Sequence, residues 1–386
     1  MTVSVPPSEH PVVTVVVIAW RLAAPLRDAI ASVVASQDAP EYEVVVVLNG
    51  VADEVRAVLA DEVDGVSVVD LGYNTGYGYA ANRGAAAARG DHLLFLNDDA
   101  ELAPDAMRTL VASMAVPTST ERPVGAAAAL MLNADGTVQE AGSRMLGTAG
   151  TVQLGAGMTI EEARTAGMLR RRPIDYGSGA ALLVRADLFR SIGGHDARYR
   201  PAYFEDADLA FRLRGYGYDV VLEPDAVAVH ASGASTAKDR RFRDFAGEHA
   251  GRAFIDRWSV VLEGAPQTDD GLDRLCPVPR VKEAPAAEFA PQAEDPAQVA
   301  LAIGADYQAW LNRQLDECRT SHGRLVAELE EARAEWGHWH DRAEELGSHA
   351  HELNLQLVDL ESRGPIRLAR WRVGVARRKR SERRAG

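Results

Sequence analysis

The chain has 386 residues, with 42 Lys+Arg and 56 Asp+Glu, a formal net charge of −14, 47% apolar and 25% charged residues. That is globular composition, long enough for two or three domains, and it excludes collagen-like, wholly disordered and disulfide-framed classes. The acidic total also excludes a chain-wide nucleic-acid coat, but the charge is uneven: residues 363–386 hold ten Lys/Arg against one acid, +9, which leaves −23 for residues 1–362.

Residues 11–100 alternate short β-branched runs with helical spacing. Val12–Ala19 reads as a continuous apolar strand, the pattern of a parallel sheet covered on both faces. Pro25–Gln37 reads as a helix, Glu43–Leu48 as a strand, Asp53–Leu59 as a helix and Val66–Leu71 as a strand. Ala80–Arg89 is an Ala-rich helix, and His92–Leu96 a strand that runs into Asn97-Asp98-Asp99. This alternation predicts a doubly wound α/β sheet, and such sheets bind ligands at the carboxyl ends of their strands. Further on, Pro104–Ala115 and Asp206–Tyr216 read as helices. Val124–Leu132, Ala180–Val184, Val220–Leu222 and Ala226–His230 read as strands. Residues 264–300 carry six of the eighteen prolines and read as a linker, so the α/β domain is expected to cover 1–263.

From Leu311 to Leu360 apolar residues recur at spacings of 4,3,4,3, seven heptads in all, until Gly364-Pro365 ends the pattern. A coiled coil over 301–362 follows, about 75 Å long at ~1.5 Å per residue, and it predicts a homo-oligomer through 311–360. The other way to bury the stripe is to fold back on its own domain. Five of the ten histidines (His322, His338, His340, His349, His351) lie here and read as surface residues. The tail 363–386 mixes arginine with Ile366, Leu368, Trp371, Val373 and Val375, which suits a helix lying on an anionic bilayer or a solvated tail.

Two cysteines, Cys276 and Cys318, point to a reducing compartment. No basic-then-apolar leader opens the chain, and the apolar run Val12–Trp20 is about half the ~20 residues needed to cross a bilayer. A cytoplasmic protein, peripheral at the inner face of the membrane, is expected.

Four constellations carry chemistry. Leu96-Asn97-Asp98-Asp99 ends a strand, where carboxylates serve as hard oxygen ligands for Mg²⁺ or Mn²⁺ shared with substrate phosphates, or as a solvated turn. Tyr203-Phe204-Glu205-Asp206-Ala207-Asp208-Leu209 sets three acids in four positions, where mutual repulsion can raise one carboxyl and make it a general base. The same acids also suit a helix N-terminus. His230 at a strand end is a metal ligand or a hydrogen-bonded structural residue. Gly76, Gly78 and Ala81 mimic a dinucleotide fingerprint, but they follow the third strand instead of the first, which excludes that reading.

In order along the chain, Val12–Ala19, Asn74-x-Gly76-Tyr77-Gly78-x-Ala80-x-Asn82-Arg83-Gly84, Leu96-Asn97-Asp98-Asp99, Asp135-Gly136-x-x-Gln139-x-Ala141-Gly142, Gly177-Ser178-Gly179-Ala180, Gly193-Gly194-x-Asp196 and Phe204-Glu205-Asp206-x-Asp208-Leu209 resemble the family 2 glycosyltransferases of the GT-A fold. They are most similar to the rhamnosyl- and galactofuranosyltransferase-like branch that builds bacterial cell-wall and surface polysaccharide. The resemblance covers about residues 11–262.

It implies a GT-A doubly wound mixed sheet with a Rossmann-like nucleotide-binding half. The activity it implies is inverting, metal-dependent transfer from a nucleotide-diphosphate sugar to a hydroxyl of a glycan or polyprenyl-linked acceptor. By resemblance Asp206 is the base with Glu205 beside it, and Asp99 and His230 hold Mn²⁺ or Mg²⁺. Ala19, Trp20, Asn49, Asn74, Asn82, Arg83 and Asp98 line the donor pocket, and Gly177, Ser178 and Gly179 the acceptor side. The second strand ends in Leu48 where the family usually has Asp, which leaves the choice between UDP and dTDP open. The competing function is a non-catalytic scaffold that binds a glycan or partner, docked at the membrane by the coiled coil and the tail.

Overall fold

The computed structural model describes residues 2–118, 120–231, 240–268, 274–281 and 289–362. Seven strands and six helices position the site: β1 (Val13–Ala19), α1 (Ala23–Val34), β2 (Tyr42–Leu48), α2 (Asp53–Glu62), β3 (Ser67–Asp70), α3 (Tyr77–Ala87), β4 (His92–Asn97), β5 (Val124–Leu132), β6 (Ala181–Arg185), α4 (Glu205–Gly215), β7 (Asp219–His230), α5 (Arg240–Glu263) and α6 (Pro296–Ser362). They belong to a ten-stranded sheet in which β7, β5, β6, β4, β1, β2 and β3 lie side by side, with Arg172–Pro173 outside β7. β1 pairs parallel with both β2 and β4, whereas β6 runs antiparallel to β4 and β5. The doubly wound mixed α/β sheet expected from the alternation is the one formed, and a long C-terminal helix follows it.

Strand periodicity builds the two cores. Along β1, Val13, Val15, Val17 and Ala19 face α1 through Leu26, Ile30 and Val33, and Val16 and Ile18 face the alanines of α3. Successive side chains point to opposite faces, so a strand covered on both sides must be apolar throughout, and all seven residues of β1 are buried. The Ala-rich helix lies close on the sheet. A Cβ on Gly84 would come within 2.3 Å of Val16 and 2.9 Å of Val47.

The chain winds from β1 to β2 and β3 in one direction, then crosses to β4 on the other side of β1. That reversal opens a crevice at the carboxyl ends of β1 and β4, where Ile18 pairs with Asn97. A doubly wound sheet collects ligands at this point, and Trp20 and Asn97-Asp98-Asp99 emerge from it.

Three expectations change. The two short strands at 220–222 and 226–230 are one strand, β7, carried through a register shift between Glu223 and Val227. Residues 240–263, given no element above, form α5, whose Phe245, Ala246, Ala250 and Phe254 are buried. The stretch 264–300 is not a free linker in its described residues. Cys276 is buried and its N–H donates to Asp175 (2.8 Å), Val281 N–H donates to Gly215 O (2.8 Å), and Tyr79 Oη donates to Glu294 O (2.6 Å). Val299 and Ile303 of α6 are also buried. A compact unit therefore runs from Met1 to Ala309, and a second from Trp310 onward. Pro-rich composition does not exclude packing. The basic tail 363–386 lies outside the described residues. Among the described residues no helix is long and apolar enough to cross a membrane.

The tight helix–sheet contact yields a test. Gly84→Leu should destabilise the fold by about 1–3 kcal/mol through overpacking. Gly304→Ala, in a helix where a Cβ meets nothing within 4 Å, should stabilise it by about 0.5–1 kcal/mol. Urea titration measures both, and equal effects would contradict the packing described.

Candidate functional site

A cavity of about 880 Å³ opens at the crevice. Of the residues picked out by sequence, Trp20, Asn49, Asn74, Asp98, Asp99, Ser178, Gly179, Glu205, Asp206 and His230 line it. Segments more than a hundred residues apart therefore meet in one place. Among the described residues seven carboxylates line it (Asp98, Asp99, Glu140, Glu205, Asp206, Asp244 and Glu248) against one arginine, Arg243.

The metal-side geometry is explicit. Gln139 Nε2 donates to Asn133 Oδ1 (3.0 Å) and to His230 O (3.1 Å), which turns its Oε1 toward His230 Nδ1 at 2.7 Å. Nδ1 must therefore carry the proton. In the neutral imidazole Nε2 is then the nitrogen with the lone pair, and it lies 3.3 Å from Asn97 Nδ2 and 3.1 Å from Asp99 Oδ1. An imidazole fixed in its tautomer by an outer partner beside a carboxylate is a metal-ligand arrangement. Asp98 turns elsewhere: it accepts from Trp20 N–H at 3.0 Å, and burial pushes its carboxyl up to about 7. Among the described residues no three His, Cys, Asp or Glu side chains form a cage. The pair Asp99–His230 fits a hard divalent ion that takes its remaining ligands from substrate phosphates and water.

The catalytic side begins where the chain enters α4. Tyr203 and Phe204 both have positive φ, 77° and 65°. For non-glycine residues this is strain of about 1–3 kcal/mol each, the kind held at functional sites. The three acids that follow have different fates because the helix turns ~100° per residue. Asp208 points into the protein, where it takes hydrogen bonds from Tyr199 Oη (2.9 Å), Arg212 Nε (2.6 Å) and Trp258 Nε1 (3.0 Å). It is structural. Asp206 faces the cavity, accepts from the Gly179 backbone N–H, and is pushed up to about 6 by burial. Glu205 is raised well above the usual carboxylate range, first by burial and then by the charge of Asp206, and its Oε2 has no hydrogen-bond partner. In this pair Glu205 keeps the proton and Asp206 takes the charge.

Several expected residues have other roles. Asn82 does not line the cavity: its side chain clamps the backbone of His195, donating to His195 O and accepting from His195 N–H, both at 2.8 Å. Arg83 donates to Tyr79 Oη at 3.1 Å. Ala19 is fully buried in the sheet. A Cβ on Gly177 would lie 2.2 Å from Ala128, so this glycine answers to packing. Asn49 lines the cavity but also ties β2 to the following loop, accepting from Thr75 N–H (2.8 Å) and Thr75 Oγ1 (2.9 Å). Gly179 donates its N–H to Asp206, as described, and its carbonyl accepts from Tyr77 Oη at 2.9 Å.

The residues missed were Glu140, Gln139, Tyr77 and the α5 group Phe242, Arg243, Asp244 and Glu248. Burial pushes Glu140 up to about 7, with the charge of Asp206 as second cause, and its Oε1 accepts from Ser178 N–H at 3.1 Å. The signal for α5 was the helical spacing of Phe242, Phe245 and His249.

Residues 14–121 match the family described as Glycosyl transferase family 2. The chain is 29% identical over 231 residues to the O-antigen biosynthesis protein RfbC of Myxococcus xanthus, covering 55% of this chain and 17% of that protein. It is 43% identical over 68 residues to the N-acetylglucosaminyl-diphospho-decaprenol L-rhamnosyltransferase of Mycobacterium tuberculosis, 18% of this chain and 22% of that one. The matches thus span about a fifth of the length of these relatives. Among solved structures, the mannosyltransferase PcManGT of Pyrobaculum calidifontis with GDP-Man and Mn²⁺ is similar at TM-score 0.46 and 18% identity over 80% of this chain and 81% of that one. GalNAc-T7 with UDP, GalNAc and Mn²⁺ is similar at 0.44 and 15% over 68% and 53%.

The buried acids give a stability test. Glu140 binds a proton more tightly folded, at about 7, than unfolded, at 4.5. The folded state is therefore penalised progressively as pH rises from 4.5 to 7, and fully above that. Glu140→Gln should stabilise the protein by about 1–3 kcal/mol at pH 8 and by almost nothing at pH 4. Urea denaturation at the two pH values checks this, and a pH-independent change would contradict it.

Proposed function

We propose that the chain is an inverting, divalent-metal-dependent glycosyltransferase. It moves a sugar from a nucleotide-diphosphate donor, dTDP-rhamnose or a UDP-sugar, to a hydroxyl of a cell-wall or surface glycan or a polyprenyl-linked acceptor. One observation carries the reading: Asp99, His230, Glu205 and Asp206, from separate segments, line a single cavity at the switch point of a family 2 domain. A rhamnosyltransferase among the partial relatives supports the sugar.

Trp20, whose ring lies 6.5 Å from that of Phe242, offers an aromatic wall for the nucleotide base, with Asn49 and Asn74 beside it. Asp99 and His230 would hold the metal, which when bound neutralises the leaving diphosphate. Asp206 accepts the proton of the acceptor hydroxyl as its oxygen bonds to the anomeric carbon. The electron pair of the broken C–O bond leaves with the nucleotide diphosphate. Glu205, kept protonated, adds no second charge to oppose ionisation of the base. Displacement from one face inverts the anomeric centre. The lining acids speak against a scaffold, since a binding module gains nothing from desolvating them together. Beyond the domain, the composition of 363–386 supports an anionic membrane surface as partner.

Asp206→Asn should lower kcat by about 10²- to 10⁴-fold while leaving nucleotide-sugar binding within about twofold. Because the base must be ionised, wild-type kcat/KM should rise with pH through about 6. Turnover by the variant at the wild-type rate would overturn the assignment of the base.

A further inference from the structure

The second unit carries an interaction surface that the catalytic reading does not use. Along α6 a mostly apolar seam keeps the heptad spacing, with His322 at one seam position. Its residues Leu315, Leu325, Leu329, Trp336, Leu346 and Leu353 are each between 49% and 67% exposed. A large apolar side chain left in water forgoes the free energy of burial, and six on one line mark a surface that a partner covers.

We infer that the occupant is a second copy of this chain, paired parallel and in register through residues 311–360. Three observations select it. First, a 3.5-residue repeat over seven heptads is complementary to another helix with the same repeat. Second, the flanking charges choose the orientation. In a parallel pair each g position faces the e position five residues on in the other helix. This sets Glu328 against Arg333 and Glu335 against His340 in both directions, and no like-charged pair arises between Gln314 and Asn354. In a fully overlapped antiparallel pair g faces g, which brings Glu335 against Glu335 at the centre. Third, the outer face between the seam residues is charged and exposed, as a helix in water requires.

Register has a chemical consequence. Cys318 is exposed and occupies a d position, the core side of the seam, whereas Cys276 is buried. Parallel in-register pairing brings Cys318 against Cys318 of the second copy. Antiparallel pairing sets it near position 350 instead.

The test uses the full chain. Under reducing conditions, light scattering after size exclusion should give twice the chain mass. Treatment with diamide, which takes the two electrons as two thiols lose their protons and join, should yield a covalent dimer on non-reducing gels. Cys318→Ser should abolish the covalent dimer without changing the reduced mass. Leu325→Lys with Leu329→Lys should return the chain to one copy with its circular dichroism unchanged. A wild-type chain of monomer mass would overturn the proposal, as would an assembly whose Cys318 thiols do not cross-link with diamide.

Discussion

The site depends on an electrostatic constraint: carboxylates gathered out of water at the carboxyl edge of a sheet. Burial raises Asp98, Glu140, Glu205 and Asp206 together. Each is kept in place by a small number of directed contacts. Trp20 N–H holds Asp98, Ser178 N–H holds Glu140, and Gly179 N–H holds Asp206. These donors are backbone groups at strand ends and adjoining loops, so the sheet that gathers the acids also orients them. The arrangement opposes stability at neutral pH, and the apolar packing on both faces of β1 and β2 offsets it.

The helix α4 uses one acidic cluster for two purposes. Asp208 is neutralised by Arg212 and bound by Tyr199 and Trp258, which anchors the helix. That anchor fixes the rotation at which Asp206 meets the cavity and Glu205 stays buried behind it. The left-handed residues Tyr203 and Phe204 make the sharp entry possible, and ring contacts of Phe204 with Phe254 at 5.1 Å tie that entry to α5. Removing Asp208 would therefore disturb the base without touching the reacting atoms.

Much of this was legible in the sequence. Continuous apolar strands between helices announced a parallel sheet, and acids directly after β4 and before α4 announced the crevice, because those positions are set by chain order and strand polarity. The roles of Asn82, Arg83 and Gly177 were not legible. Whether an amide contacts a ligand or clamps a backbone depends on which loop lies opposite, and His195 is 113 residues from Asn82. Glu140 escaped notice because a lone acid in a short strand carries no local pattern; its meaning comes from Asp206 across the cavity. The packing of 264–300 was hidden for a similar reason, since Pro-rich segments dock through isolated backbone bonds that leave no period.

Among the described residues, the seven carboxylates and one arginine of the cavity make a poor receptor for a diphosphate unless a cation joins them. The most direct measurement is titration calorimetry of a nucleoside diphosphate, UDP or dTDP, into the full chain with Mn²⁺ and with EDTA, repeated on Asp99→Asn. The account predicts binding with Mn²⁺, loss of at least about tenfold in affinity with EDTA, and the same loss in the variant when Mn²⁺ is present. Equal affinity with and without the metal would contradict it.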